Sequence, residues 1–159
     1  GIPVRENRYG LATHYHIDHA GLAQELKAAG VGLLVMESQV QAIPLMKAFT
    51  KPWDRYVDIS LDGNRTIPFE ASRALLESVG LEGEVLPTPG HSDDSVTLLL
   101  DDGSAFTGDL TPEEAAYGPQ ASTVLASWQR LRQQGPTRIY PGHGPVRPLP
   151  AHTPALTPG

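Results

Sequence analysis

The chain has 159 residues, a formal net charge of −6 and no cysteine. That length suits one domain burying roughly two thirds of its unfolded surface, and the missing thiols exclude disulfides and thiolate metal sites. An acidic balance without any basic run argues against a phosphate-backbone ligand, so no nucleic-acid partner is expected.

No apolar run approaches the roughly 20 residues that span a bilayer. The opening GIPVRENRYG lacks the basic start and apolar centre of a signal peptide. No membrane partner is expected, and the expected location is cytoplasmic. In chain order, residues 9–13 (YGLAT) read as a short buried strand running into THYHIDHAG. Residues 20–29 predict a helix, with Leu22 and Leu26 four apart and Gly30 as its stop. VGLLVM (31–36) is the next strand. Residues 37–49 predict a helix with Val40, Ile43 and Met46 on one face and Pro44 as a kink or boundary. Residues 51–68 read as irregular. A second amphipathic helix is expected over 71–79, a strand over 84–86, and a hairpin from 96–100 through Asp101-Asp102-Gly103 into 105–107. A long helix over 120–134 and a short strand over 138–140 follow. From Pro145 onward five prolines in fifteen residues predict an extended, poorly ordered end. The division is a domain over 1–146 and a proline-rich tail over 147–159. Alternating strands and helices place the chain in the α/β class.

Five of the six histidines fall at strand-to-loop positions, His14, His16, His19, His91 and His143, the last three of them beside Gly or Asp. A strand end turns alternate side chains to one side, so His14 and His16 can meet on one ion. Asp18 and His19 lie past the bend and can reach a second. His91 in TPGHSDDS and His143 in YPGHG occupy tight loops and are further candidate ligands. Asp109, in FTGDL, is either an N-cap or a carboxylate bridging two cations, and the bridge is the stronger reading. His152 reads as a plain surface residue. Imidazole and carboxylate without sulfur suit Zn, Fe(II) or Mn(II).

HxHxDH after a strand, a distant PGH, a GD after a hairpin and a terminal GH, in that order over residues 13–144, resemble the metallo-β-lactamase superfamily, and the PGHSDDSVTLLLDDGSAFTGDL stretch is most similar to its glyoxalase II-like branch. The resemblance implies an αβ/βα sandwich and two divalent metal ions, zinc first with iron or manganese sharing the ligand set. His14, His16 and His91 would hold the first ion, Asp18, His19 and His143 the second, and Asp109 would bridge them. Histidine in place of cysteine at the second site argues against a dedicated antibiotic-degrading lactamase.

Two cations about 3.5–4 Å apart can share a hydroxide, with the water's pKa lowered to about 7. The expected function is therefore metal-dependent hydrolysis of a small ester, thioester or lactone. Asp18 is the expected catalytic residue, orienting the nucleophile and carrying its proton. Ser92, Asp93 and Asp94 beside His91, and Tyr15 beside His14, are candidates for fixing the imidazoles. Tyr117 is a candidate substrate contact, and Trp53 more simply packs. The rivals are a phosphodiesterase or nuclease on the same metal pair, a metal-binding but catalytically idle protein, and a flavodiiron-type redox site, for which nothing in the sequence suggests flavin.

Family members carry several strands ahead of HxHxDH, whereas thirteen residues precede it here. The expectation is an N-terminally truncated sandwich, its apolar faces completed by an oligomer or a partner.

Overall fold

The computed structural model describes residues 8–150. Two sheets form the centre. The first holds β1 (Tyr9–Leu11), β2 (Gly32–Met36) and β3 (Arg65–Ile67), all parallel in the order β1-β2-β3. The second holds β4 (Gly83–Pro87), β5 (Val96–Leu100), β6 (Ser104–Gly108), β7 (Arg138–Pro141) and β8 (Arg147–Pro148) in sequential order. β4, β5 and β6 run antiparallel, β6 and β7 are parallel, and β8 returns antiparallel to β7. The helices are α1 (Ile17–Ala20), α2 (Ala23–Ala28), α3 (Ser72–Ser78) and α4 (Ala121–Gln133).

Three apolar clusters show why these elements stack in layers. β2 is apolar on both faces, as a strand covered on both sides must be. Leu34 and Met36 point with Ile67 toward Val85 and Val96 of the second sheet, and Leu75 and Leu76 of α3 close that middle layer. Leu33 and Val35 point the other way, onto Ala20, Ala23, Ile43 and Met46. The second sheet turns Leu86, Leu99, Ala105 and Ile139 outward onto Val124, Trp128 and Leu131 of α4. Helix, sheet, sheet, helix is the αβ/βα sandwich that the motif order implied. Trp128, almost fully buried, donates Nε1–H to the carbonyl of Thr111 at 2.7 Å, which ties α4 to the loop after β6.

The hairpin, the long helix and β2 form as the sequence predicts, and four details differ. The helix expected over 20–29 begins earlier, at Ile17, and is broken at Gly21 and Leu22. Leu22 and Leu26, which signalled it, are exposed, while Ala20 and Ala23 make the buried contacts. Residues 37–49 form two 3-10 segments, Glu37–Gln39 and Ile43–Phe49, rather than an α-helix. Val40, Ile43 and Met46 recur every three residues, which is the 3-10 period, and Pro44 sits in the first turn of its segment rather than at a kink. β3 lies inside the stretch expected to be irregular. Only Ile67 of its three residues is buried, so it leaves no alternation to read.

The proline-rich end does not start as a free tail. Arg147 and Pro148 pair with β7, the Leu149 N–H donates to the Thr137 carbonyl at 2.9 Å, and the Leu149 side chain meets the α4 cluster. Pro148 is tolerated because β8 is an edge strand. Residues 151–159, with His152, lie outside the described residues. Among the described residues, no helix is long and apolar enough to cross a membrane.

Candidate metal centre

The chemistry-bearing side chains sit where both sheets end on one side. β1 leads directly into the first group: the chain passes Thr13 and His14, and at His16 the backbone turns into α1, the His16 carbonyl accepting the N–H groups of His19 and Ala20 at 3.1 and 2.8 Å. That single turn of helix carries Asp18 and His19 round behind His14 and His16. His91 comes from the loop between β4 and β5, Asp109 from the residue after β6, and His143 from the loop after β7.

Seven side chains thereby converge in two adjoining groups: His14, His16 and His91, and Asp18, His19, Asp109 and His143, with the ligand atoms in each lying within 4.8 Å of one another. In the first group His16 Nδ1 stands 3.1 Å from His14 Nε2 and 3.0 Å from His91 Nε2. Ring nitrogens bound ~2.0–2.1 Å from one tetrahedral ion stand roughly 3.3 Å apart, so this spacing suits a cation. In the second group His143 Nε2 approaches Asp18 Oδ2 at 2.9 Å, and His19 Nε2 lies 3.5 Å from that same oxygen. Asp109 reaches both groups. Its Oδ1 is 3.3 Å from His19 Nε2, while its Oδ2 is 3.7 Å from His91 Nε2 and 3.6 Å from His143 Nε2.

Two buried atoms here, His19 Nε2 and Asp109 Oδ1, have no hydrogen-bond partner. An orphaned buried nitrogen and carboxylate oxygen facing each other carry a desolvation cost that a divalent cation removes. The donor set of imidazole and carboxylate fits a hard or borderline metal.

The surroundings hold the donors in place. His14 is fully buried, and burial first, then the neighbouring His19, His16 and His91, push its pKa down to about 4, with Asp109 opposing. Its ring is therefore neutral and free to ligate at pH 7. Burial likewise lowers the pKa of His91. At Asp18 the desolvation that would raise the pKa is outweighed by the hydrogen bond from His143, its own backbone N–H and the two imidazoles, so the carboxyl sits below its ordinary value.

Thr13 Oγ1 is 3.3 Å from His14 Nδ1, and the Thr13 carbonyl accepts the Val96 N–H at 2.8 Å, pinning the motif strand end to β5. Asp94 Oδ2 accepts the Tyr15 N–H at 2.8 Å, fastening the histidine loop to the loop that carries His91. Gln39, fully buried, donates to the Ala12 carbonyl and accepts from the Met36 N–H.

Two glycines permit the convergence. A Cβ on Gly142 would stand 2.5 Å from His19 Cε1 and closer still to Asp109 Oδ1, and one on Gly108, at φ +53°, would meet the Thr13 side chain.

The geometry thus brings together His14, His16, Asp18, His19, His91, Asp109 and His143. It does not bring in Tyr117, whose side chain is 86% exposed and does not line the cleft beside His91, Asp109 and His143. Trp53 is exposed rather than packed, with the Lys51 ammonium 5.4 Å from its ring centre. Of the four expected supporting residues, Asp94 and Tyr15 meet as described, whereas Ser92 Oγ bonds Ser95 Oγ and Asp93 is exposed. Thr13, Gln39, Gly108 and Gly142 went unnoticed in the sequence. The one available signal was the glycine in each of FTGD and PGH, placed beside a candidate ligand.

Comparison with known proteins gives the chain its relatives. The chain is 29% identical over 137 residues to a Drosophila melanogaster beta-lactamase-like protein 2 homolog, covering 86% of this chain and 44% of that protein. It is 30% identical over 138 residues to the hydroxyacylglutathione hydrolase of Shewanella halifaxensis, covering 84% of this chain and 46% of that enzyme. The chain thus spans about half the length of these curated relatives. Among solved structures, TTHA1623 in a di-iron-bound form superposes with a TM-score of 0.65 at 25% identity, over 87% of this chain and 70% of that one. The sequence model of the metallo-beta-lactamase superfamily matches residues 9–143, a span that holds every side chain of the two groups, and the chain belongs to that superfamily.

Proposed function

We propose that this chain is a hydrolase of a small ester, thioester or lactone that works with two divalent cations. His14, His16 and His91 would hold one cation, Asp18, His19 and His143 the other, and Asp109 would lie between them. The observation that carries the reading is the pair of orphaned buried atoms, His19 Nε2 and Asp109 Oδ1, at the junction of two groups with ligand spacing. Similarity to a hydroxyacylglutathione hydrolase favours a thioester. Zinc is the first candidate, and the di-iron form of TTHA1623 keeps iron beside it.

When bound, such a pair supplies Lewis acidity and lowers the pKa of a water between the cations to about 7. The chain's own groups do the rest. His14 stays neutral through burial, so no proton competes for its nitrogen near pH 7. Asp18, half exposed and held below its ordinary pKa, is a carboxylate at the mouth of the site that accepts a proton and hands it toward a leaving group. Gly142 leaves room for Asp109 and His19 to approach each other.

The test pairs elemental analysis with a panel of aryl ester, thioester, lactone and phosphodiester substrates. Two metals per chain and turnover of an ester, thioester or lactone are expected. Exclusive cleavage of a phosphodiester would reassign the site to a phosphodiesterase, and two metals with no turnover at all would make it an idle metal-binding protein. The net charge of −6 disfavours a polyanionic substrate.

A further inference from the structure

A groove of about 390 Å³ runs away from the metal centre on the side of His16. One wall is the histidine loop, Tyr15 and His16. The other is the 3-10 segment Ile43–Phe49 with Ala42 before it. Ile43 and Met46 sink into the core and anchor the segment, Thr50 Oγ1 caps the Lys47 carbonyl at 2.9 Å, and Lys47 pairs with Asp58. Leu45 and Phe49, 61% and 76% exposed, therefore stand over the groove from a fixed backbone. Two large, exposed apolar side chains lining one groove mark a surface built for contact. The carboxylates at the groove are Asp93 and Asp94, the second engaged with the Tyr15 N–H, and no cation lines it to receive an anionic arm. A separate cleft is lined by Leu110, Thr111 and Pro112 together with His91, Asp109 and His143. The candidate ligands adjoin both depressions, His16 lining the first and His91 the second, with their ring nitrogens 3.0 Å apart.

We propose that the groove binds an uncharged, apolar acyl arm, so that the preferred substrates are thioesters or esters of unbranched aliphatic acids, with the leaving group in the cleft beside His91, Asp109 and His143. The assignment rests on the hydrolase reading above. In the step itself the acyl carbon–sulfur bond breaks, the hydroxyl of water ends on the acyl carbon, and the remaining proton ends on the released thiol.

The experiment compares acetyl, butyryl, octanoyl and dodecanoyl thioesters of one thiol on the metal-loaded chain. With each added methylene giving apolar transfer free energy, kcat/KM should rise at least about tenfold from acetyl to octanoyl, chiefly through KM. The double variant Leu45→Ser/Phe49→Ser should bring the octanoyl-to-acetyl ratio to within about twofold of one. Leu125→Ser, an exposed leucine on α4, should leave the ratio as it is. A flat wild-type profile, or an unchanged ratio in the double variant, overturns the proposal.

Calorimetric titration with octanoate separates its failure from failure of the hydrolase reading. If no thioester, ester or lactone is cleaved, octanoate binding that weakens about tenfold in the double variant sinks the hydrolase reading and keeps the groove assignment. Absence of octanoate binding sinks the groove assignment. Sedimentation that shows a dimer lost in the double variant, with octanoate affinity unmoved, gives the groove to a second copy and overturns the proposal.

Discussion

Replacing Asp94 by alanine should loosen the metal centre without touching a candidate ligand. Asp94 is 6% exposed, and its Oδ2 accepts the buried Tyr15 N–H across 79 residues of sequence. Alanine leaves that N–H buried and unpaired, which costs about 1.5–3 kcal/mol when the lost partner was charged. For a chain of this length each kcal/mol lowers Tm by roughly 2–4 °C. The metal-free variant should therefore melt about 3–12 °C lower, and its metal affinity should fall about 10–100-fold as His14 and His16 lose their fixed distance from His91. Asp94→Asn keeps an acceptor oxygen and should recover most of both losses. Scanning calorimetry of chelated protein and competition titration against a colorimetric chelator give the two numbers. Equal Tm and equal affinity in Asp94→Ala would show that the histidine loop holds its place without this bond, and the reasoning would fail.

Asp18→Ala should release one of two metals per chain and lower kcat about a hundredfold or more; elemental analysis with turnover checks it, and activity within about threefold at full metal content removes Asp18 from the mechanism. Gly142→Ala should keep the fold at a cost of about 1–3 kcal/mol, because the new methyl displaces Asp109 or His19, yet lose metal at the second group; circular dichroism beside elemental analysis distinguishes the two effects. The pH dependence of metal-free stability follows from His14. Its folded pKa of about 4 lies below the 6.5 of the unfolded chain, so between those values the unfolded state binds more protons. Stability should thus rise from pH 4 to 6.5 by at most about 3 kcal/mol from this residue, and denaturant melts of wild type against His14→Gln under chelation would show a smaller rise in the variant.

The candidate site was more legible than the fold that builds it. Histidines and carboxylates crowded into HxHxDH, and again beside glycine at His91, Asp109 and His143, have few other reasons to recur, so the seven side chains could be picked out without knowing how far apart the loops would lie. The supporting residues could not. Thr13 and Gln39 act through contacts made only after β1, β2 and β5 come together, and nothing in their neighbours marks them. In the fold, β2 and the hairpin announce themselves by runs of apolar residues and a Gly turn. β3 was invisible because three residues with one buried side chain carry no period. The segment 37–49 was misread because apolar residues three apart satisfy a helical template loosely and a 3-10 template better. Leu22 and Leu26 gave the right element for the wrong reason, since their spacing describes an exposed stripe.

The seven side chains come from both halves of the sandwich: four follow β1 in the first sheet, while His91, Asp109 and His143 belong to loops of the second. Cations gripped from both halves would act as a rivet, and their loss would be felt in the middle apolar layer as well as at the mouth of the site. Free metal at a thousand times its Kd stabilises a folded chain by about 4 kcal/mol, a large share of an ordinary domain's margin. Metal scarcity would then be sensed as unfolding and degradation, not merely as idleness. No fragment that stops short of His143 can carry the complete set, so the rivet can close only after the chain has been made that far.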